Sequence, residues 1–505
     1  MKKIKLRNFL KKDYKSITEL QKLCFPEMRP WSEEQFDSMM KIFPEGQFCI
    51  EYDSKIVASC CSLIINREDY AENASWHDLT NHGYITNHDP DGDTLYGMEI
   101  MVHPDYRQMK LSRRLYQARK DLVRERNLGG RIPNYHKYKE EMNVEKYVAG
   151  VIDRKIYDPV LTAQTANEFV LKRVLPDYLP NDQESGGYGT FLEWNNILYQ
   201  DRPVPTFHSR NNVKICCVQY KMRMISNFKE FAEHCEYFVD VASEYRSDFV
   251  LFPEMLTMQL LTFLPSKRPG KAVRDLSRFS NQYIEMFRKL SIKYNINIIG
   301  GSHFHVEEEI LYNIAYLFRR DGTVEKQYKL HVTPHERKWW GVRPGPGLNV
   351  MNTDKGKIAI NICYDIEFPE LARIAVQQGA QIIFVPFNTD DRRAFLRVKY
   401  CSQARAIENQ VYVAIAGCVG NLPKVENLDI HFAQSAIFTP SDIEFHREAI
   451  ATQTSENTEM VICQQLDLNL IRRNREMGSV QMWKDRRTDL YAIQYKNNGV
   501  PTSEF

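Results

Sequence analysis

No stretch of this sequence approaches the run of about 20 apolar residues that a membrane span needs. The basic opening MKKIKLRNFLKKDYK lacks the apolar segment of a secretory signal. No CxxC pair occurs among the 11 cysteines, most of which stand alone in apolar runs or as the neighbours Cys60/Cys61 and Cys216/Cys217. An odd count without metal-ligand spacing reads as buried free thiols in a reduced compartment, so a cytoplasmic protein is expected. Neither sign of charge prevails: Lys plus Arg number 67 and Asp plus Glu 65. That balance offers no basis for binding nucleic acid or an anionic membrane. Internal repeats and low-complexity segments are absent as well. What remains is a globular composition over 505 residues, enough for two or three domains.

The clearest seam is LYQDRPVPTFHSRNN (198–212), with two prolines, mixed charge and no period. It predicts a first domain over 1–200, a linker over 201–211, a second domain over 212–485 and a tail over 486–505. Both domains read as alternating strands and helices, an α/β layer pattern. In the first, strands are expected at 3–7, 47–65 (two, around Asp53-Ser54) and 94–102, with helices at 12–25 and 110–126. In the second, strands are expected at 213–220, 247–255, 296–302, 312–318, 357–362 and 411–417. Helices are expected near 227–245, 277–294, 369–378 and 394–409.

Three reactive residues of the second domain fall at strand ends, where side chains converge on a crevice and the strands hold them rigid. Glu254 follows VLFP, Lys329 stands in EKQYKLHVTPHERKWWG, and Cys363 ends the run KIAINI. A thiol must lose its proton to attack. An ammonium favours that loss, and a carboxylate can take the proton and later give it to a departing amine. The ammonium and the N–H of Tyr364, the next residue, can also hold the oxyanion of a tetrahedral intermediate. Glu, Lys and Cys are thus sufficient for attack on a carbon–nitrogen bond.

FPE (252–254), Lys329 with HVTPHERKWW, CYDIEFPE (363–370) and RAIENQ (405–410) resemble the nitrilase superfamily of carbon–nitrogen hydrolases, over roughly 212–485. The resemblance implies an αββα sandwich and a Glu254–Lys329–Cys363 triad. It also implies a second glutamate, Glu336, near the lysine, and a homodimer through helices after the cysteine. The alternative for Glu336 is pairing with Arg337 or Lys338. Trp339 and Trp340 either wall the pocket or pack the core. No cofactor is implied for this domain, and the expected substrate is a small amide or nitrile.

MEIMVHPDYRQMKLSRRLYQARK (98–120) joins a strand, a polar turn and an amphipathic helix, whose N-terminal N–H groups suit a phosphate. It resembles the GNAT acetyltransferases, in which such a turn holds the pyrophosphate of acetyl-CoA. The resemblance places Arg107, Gln108, Lys110, Leu111 and Ser112 at that cofactor. Lys110 stands where the family has its first glycine and Ser112 at the second small position. Glu99, on the preceding strand, matches the family's base for an incoming amine; the alternative is that it faces solvent or pairs with an arginine. GGRIPNYHKY (129–138) either contacts the ligand or closes a loop. The histidines His77, His82 and His88 with Asp89 read as an insertion loop, with no metal implied.

The combined expectation is a hydrolase of a non-peptide carbon–nitrogen bond, acting through a thioester on Cys363, fused behind an acetyltransferase-like domain. The competing readings are acyl transfer to an amine in place of water, and an acyl-CoA-sensing or scaffold protein whose first domain is not catalytic.

Overall fold

The computed structural model describes residues 3–66, 69–70, 74–122, 125–179, 182–195, 212–264, 268–423, 425 and 430–495. The chain divides into two compact units at Pro205/Thr206. The expected linker 201–211 and the end of the expected tail lie outside the described residues.

In the first unit β1 (Ile4–Asn8), β2 (Phe48–Tyr52), β3 (Lys55–Ile65) and β4 (Thr94–Val102) form an antiparallel sheet in that order. The β2–β3 turn is Asp53-Ser54, both with positive φ, which is how a two-residue hairpin follows the twist of its strands. A second sheet has the order β5 (Glu125–Arg131), β7 (Gly189–Asn195), β6 (Val170–Leu175). β4 and β5 therefore each end a sheet. Residues 129–131 prolong β5, and Tyr135 beyond them is buried against Tyr147 and Tyr188. The histidine segment contains a short helix, Trp76–Thr80, capped by Ser75. Among the described residues no cluster of three metal-ligating side chains occurs and no helix is long and apolar enough to cross a membrane.

In the second unit the strands are β8 (Asn212–Met222), β9 (Phe249–Leu251), β10 (Asn297–Glu307), β11 (Ile310–Phe318) and β12 (Val324–Tyr328). They continue with β13 (Val350–Thr353), β14 (Gly356–Ile360), β15 (Ile382–Phe387), β16 (Tyr412–Asn421), β17 (Ile430–His431), β18 (Ala436–Phe438), β19 (Ile450–Gln453) and β20 (Met460–Asp467). One sheet runs β12-β11-β10-β9-β8 and the other β16-β15-β14-β13. The two join where Cys418–Gly420 of β16 pair with Tyr220–Met222 of β8. β20 covers the outer side of β8 over eight residue pairs.

Strand alternation builds the layers. Val213, Ile215 and Cys217 of β8 face the opposite sheet, while Cys216, Val218 and Tyr220 face the helices Phe228–Glu244 and Ser280–Tyr294. The adjacent cysteines thus serve two different cores. Phe249 of β9 meets Phe384 of β15 at 5.2 Å between the sheets. The helices Pro369–Gln377 and Arg392–Asn409 cover the second sheet, completing an αββα sandwich.

Candidate active site

Four strand ends of the second unit bring its chemistry together. β9 stops early because Pro253 has no N–H to donate and Met255 enters the left-handed region at φ 61°. The chain can turn there because β10 bulges between Ile299 and Ser302. At Gly301 (φ 75°) a Cβ would lie 2.0 Å from the carbonyl oxygen of Pro253, so only glycine admits the loop that carries Glu254.

Lys329, one residue beyond β12, donates to Glu254 Oε1 at 2.8 Å and to Glu336 Oε2 at 2.7 Å. All three side chains are at most 3% exposed. Asn313 Nδ2, on β11, bridges the same carboxylates at 3.0 and 3.1 Å. Thr333 donates its N–H and hydroxyl to Glu336 Oε2, both at 2.9 Å. Glu336 opens a single π-helical turn, Glu336–Trp340, an irregularity frequent at functional sites. It therefore pairs with Lys329, not with Arg337 or Lys338. Trp340 packs on Phe304 and His335 in the core, while Trp339 is half exposed.

Cys363 begins the turn Cys363–Glu367 with φ 48°, a left-handed conformation that costs a non-glycine residue about 1–2 kcal/mol. Asp365 fixes this turn. Its carboxylate accepts from Ile362 N at 3.1 Å, His331 N at 2.7 Å and His331 Nδ1 at 2.9 Å. One buried acid thus ties the nucleophile's turn to the segment after Lys329. Asn388, just past β15, links thiol and carboxylate through its main chain: its carbonyl accepts from Cys363 Sγ at 3.6 Å, and its N–H donates to Glu254 Oε2 at 3.1 Å.

The electrostatics separate the two glutamates. Burial raises the pKa of Glu254, and the pull of Lys329 does not offset it. Burial acts on Glu336 too, but there Lys329, Thr333 and Asn313 outweigh it, and its pKa falls below the ordinary value. Lys329 loses to burial but gains more from the two carboxylates, so it stays charged. Burial and Glu254 hold the Cys363 thiol well above its ordinary pKa despite the ammonium. A thiol held above its ordinary pKa thus sits beside a carboxylate whose own pKa is raised, a pairing in which the carboxylate is suited to take the proton.

In the first unit, Glu99 lies where the β3–β4 ladder bulges between Cys61 and Ser62. Trp31 Nε1 donates to its carboxylate at 3.0 Å and Gln21 Nε2 at 3.3 Å. Buried Arg119 donates to the carbonyls of Cys61 and Glu99 and to Ser62 Oγ, so it holds the strand and not the carboxylate. Burial lifts Glu99 from 4.5 to about 7, with Trp31, Cys61 and Arg119 pulling the other way. The folded unit then binds more protons than the unfolded chain between those values, so its stability falls as pH rises through them. Glu99→Gln is expected to flatten that slope; an unchanged pH dependence of urea unfolding would show that Glu99 ionises normally.

Lys110 closes the turn Pro104–Met109 at φ 50° and ψ 33°, the conformation that glycine adopts freely. The helix Leu111–Leu122 starts directly after it. Leu111 is buried, Ser112 and Lys110 are half-buried, and Arg107 and Gln108 are exposed. Lys110→Gly is expected to stabilise the first unit by about 0.5–1 kcal/mol through relief of this strain. A loss of stability in urea unfolding would show that the lysine's own contacts outweigh it.

Comparison with known proteins assigns each unit to a family. The carbon–nitrogen hydrolase family matches residues 214–476 and the acetyltransferase (GNAT) family residues 14–137. The chain belongs to the carbon–nitrogen hydrolase family, with a GNAT-type domain in front of the hydrolase domain. It is 56% identical over 501 residues, 98% of each chain, to the Bacillus subtilis (strain 168) protein named probable hydrolase YhcX. The first unit resembles an uncharacterized N-acetyltransferase of the same bacterium, YkwB, with 36% identity over 39% of this chain and 90% of that one. The second resembles omega-amidase NIT2 of Xenopus tropicalis, with 30% identity over 46% of this chain and 79% of that one.

Asn313, Asn388 and Asp365 escaped sequence reasoning. Asp365 lies inside the CYDIEFPE stretch, two residues after the cysteine, a spacing suited to a carboxylate capping the turn. The two asparagines offered no such signal.

Proposed function

We propose that the second unit hydrolyses a small amide through a thioester on Cys363. The carrying observation is the paired environment of Lys329: one carboxylate raised and next to the thiol, the other lowered and fully engaged. As Cys363 Sγ bonds to the carbonyl carbon, its proton passes to Glu254. The oxyanion is held by Lys329 and the N–H of Tyr364. Glu254 then protonates the nitrogen, the C–N bond breaks, and ammonia or an amine leaves. Water, deprotonated by Glu254, attacks the thioester and releases the acid and the thiol. Glu336 keeps Lys329 charged and in place.

Glu254→Gln is expected to lower kcat about 10²–10⁴-fold, the usual loss of a general base. Glu336→Gln should cost less, because its amide can still accept from Lys329. Steady-state kinetics on a panel of amides checks the order; equal, mild losses would mean that the two roles are misassigned. The same panel with and without acetyl-CoA, following ammonia and free CoA, tests both units.

For the first unit, the donor set of Arg107, Lys110 and the start of the helix Leu111–Leu122 fits a pyrophosphate, with Gln108, Leu111 and Ser112 shaping the turn. Acetyl-CoA, when bound, supplies the acyl group. Glu99, at a pKa of about 7, is suited to take the proton of an incoming amine. A homodimer contact belongs on the helices Pro369–Gln377 and Arg392–Asn409, the latter exposing Tyr400.

A further inference from the structure

Three arginines crowd one indole in the second unit. The guanidinium of Arg486 lies 3.9 Å from the Trp483 ring centroid, that of Arg475 at 4.9 Å and that of Arg373 at 5.6 Å. They come from three places: Arg373 from the helix Pro369–Gln377, Arg475 from the helix Leu468–Met477, and Arg486 from the segment after it. Each is half-buried.

Among the described residues none is neutralised. Arg373 donates to the carbonyl of Glu408 at 3.1 Å, Arg475 to that of Asn409 at 3.0 Å, and Arg486 to that of Trp483 at 2.9 Å. Among the described residues no carboxylate forms an ion pair with any of them. The carboxylate of Glu408 is engaged by Arg405 at 3.1 Å. Arg475 Nε is buried with no partner among the described residues. Burial first, then the charges of Arg373 and Arg486, bring Arg475 down to about 10. Burial also lowers Arg373, with Arg486 and Arg405 adding to it and Glu408 and Tyr491 opposing. An indole face attracts a cation but cannot cancel three charges.

We propose that Arg373, Arg475 and Arg486, gathered on Trp483, form a binding site for a phosphate dianion, free or as a phosphomonoester. A tetrahedral dianion offers oxygens to three guanidinium forks at once and offsets more of their charge than a single carboxylate does. The site shares none of the side chains around the thiol, and one of its arginines, Arg373, stands on the helix that begins six residues after Cys363.

The test is calorimetry on the full chain at low ionic strength with inorganic phosphate and, separately, a nucleoside monophosphate. A saturable site that the three cluster arginines account for is expected, distinct from any binding at the Arg107–Ser112 turn and weakening as salt rises. Arg373→Gln and Arg475→Gln should each weaken it at least about tenfold. Arg486→Gln, which gives up one contact to its own segment, should do the same without disturbing a helix. Arg107→Gln should leave the component lost in the cluster variants in place, and the basal hydrolase rate should stay the same in all three cluster variants. Tighter binding of the nucleotide assigns the ester, and equal binding assigns the free ion. Absence of saturable binding, or equal binding in folded cluster variants, overturns the proposal. So does loss of dimer by those variants in sedimentation without any phosphate binding, which would give the arginines to a carboxylate of a second copy.

Discussion

Cys363→Ala is expected to abolish amide hydrolysis, a fall on the order of 10⁴-fold or more, with the fold intact. Alanine keeps the Cβ that already tolerates φ 48°, and the change empties only the volume of one sulfur. Wild-type protein incubated with a slowly turned-over amide should carry an acyl mass on the peptide containing Cys363. Turnover retained by a well-folded variant, or an acyl mass on another residue, would remove Cys363 from the mechanism.

Lys329→Met should have the largest effect on stability. It leaves Glu254 and Glu336 buried, with side chains 1% and 3% exposed, and without their cation. Breaking a buried ion pair on one side costs about 3–5 kcal/mol. The sign of the pH dependence follows from the same geometry. Without the ammonium both carboxyl pKa values rise above their unfolded values, so the folded variant holds more protons and loses stability as pH rises. Urea unfolding at pH 5.5 and pH 8 should show the larger deficit at pH 8. A variant as stable as wild type at pH 8 would mean that the carboxylates find other partners.

Glu254 and Cys363 were legible because each closes an apolar run, whereas Lys329 follows the polar strand VEKQY and was placed by its motif, KLHVTPHERKWW. The residues that tune them were not. Asn313 reaches Glu254 from 59 positions away and Asn388 from 134, distances that only the sheet order closes. Asp365 joins Cys363 to a loop 34 positions earlier. Strand length was misread at 247–255, where Phe249–Leu251 is all that pairs, since Pro253 and the left-handed Met255 end the ladder. In the first unit the helix expected over 110–126 stops at Leu122, and Glu125–Arg131 becomes a strand. Its Arg and Glu residues favour a helix, but pairing with Gly189–Asn195 overrides that weak preference. The left-handed turn at Lys110 was hidden because lysine rarely marks such a position.

The cover that β20 gives to β8 also sets a timetable for synthesis. Gln219 beside β20's start binds the carbonyl of Thr458, 239 positions later. At translation rates of about 5–20 residues per second, one flank of β8 waits roughly 10–50 s for its partner to emerge. During that interval its backbone groups are open to any passing strand. Nascent chains truncated before Met460 should therefore engage chaperones or aggregate, whereas chains extended beyond Met477 should not.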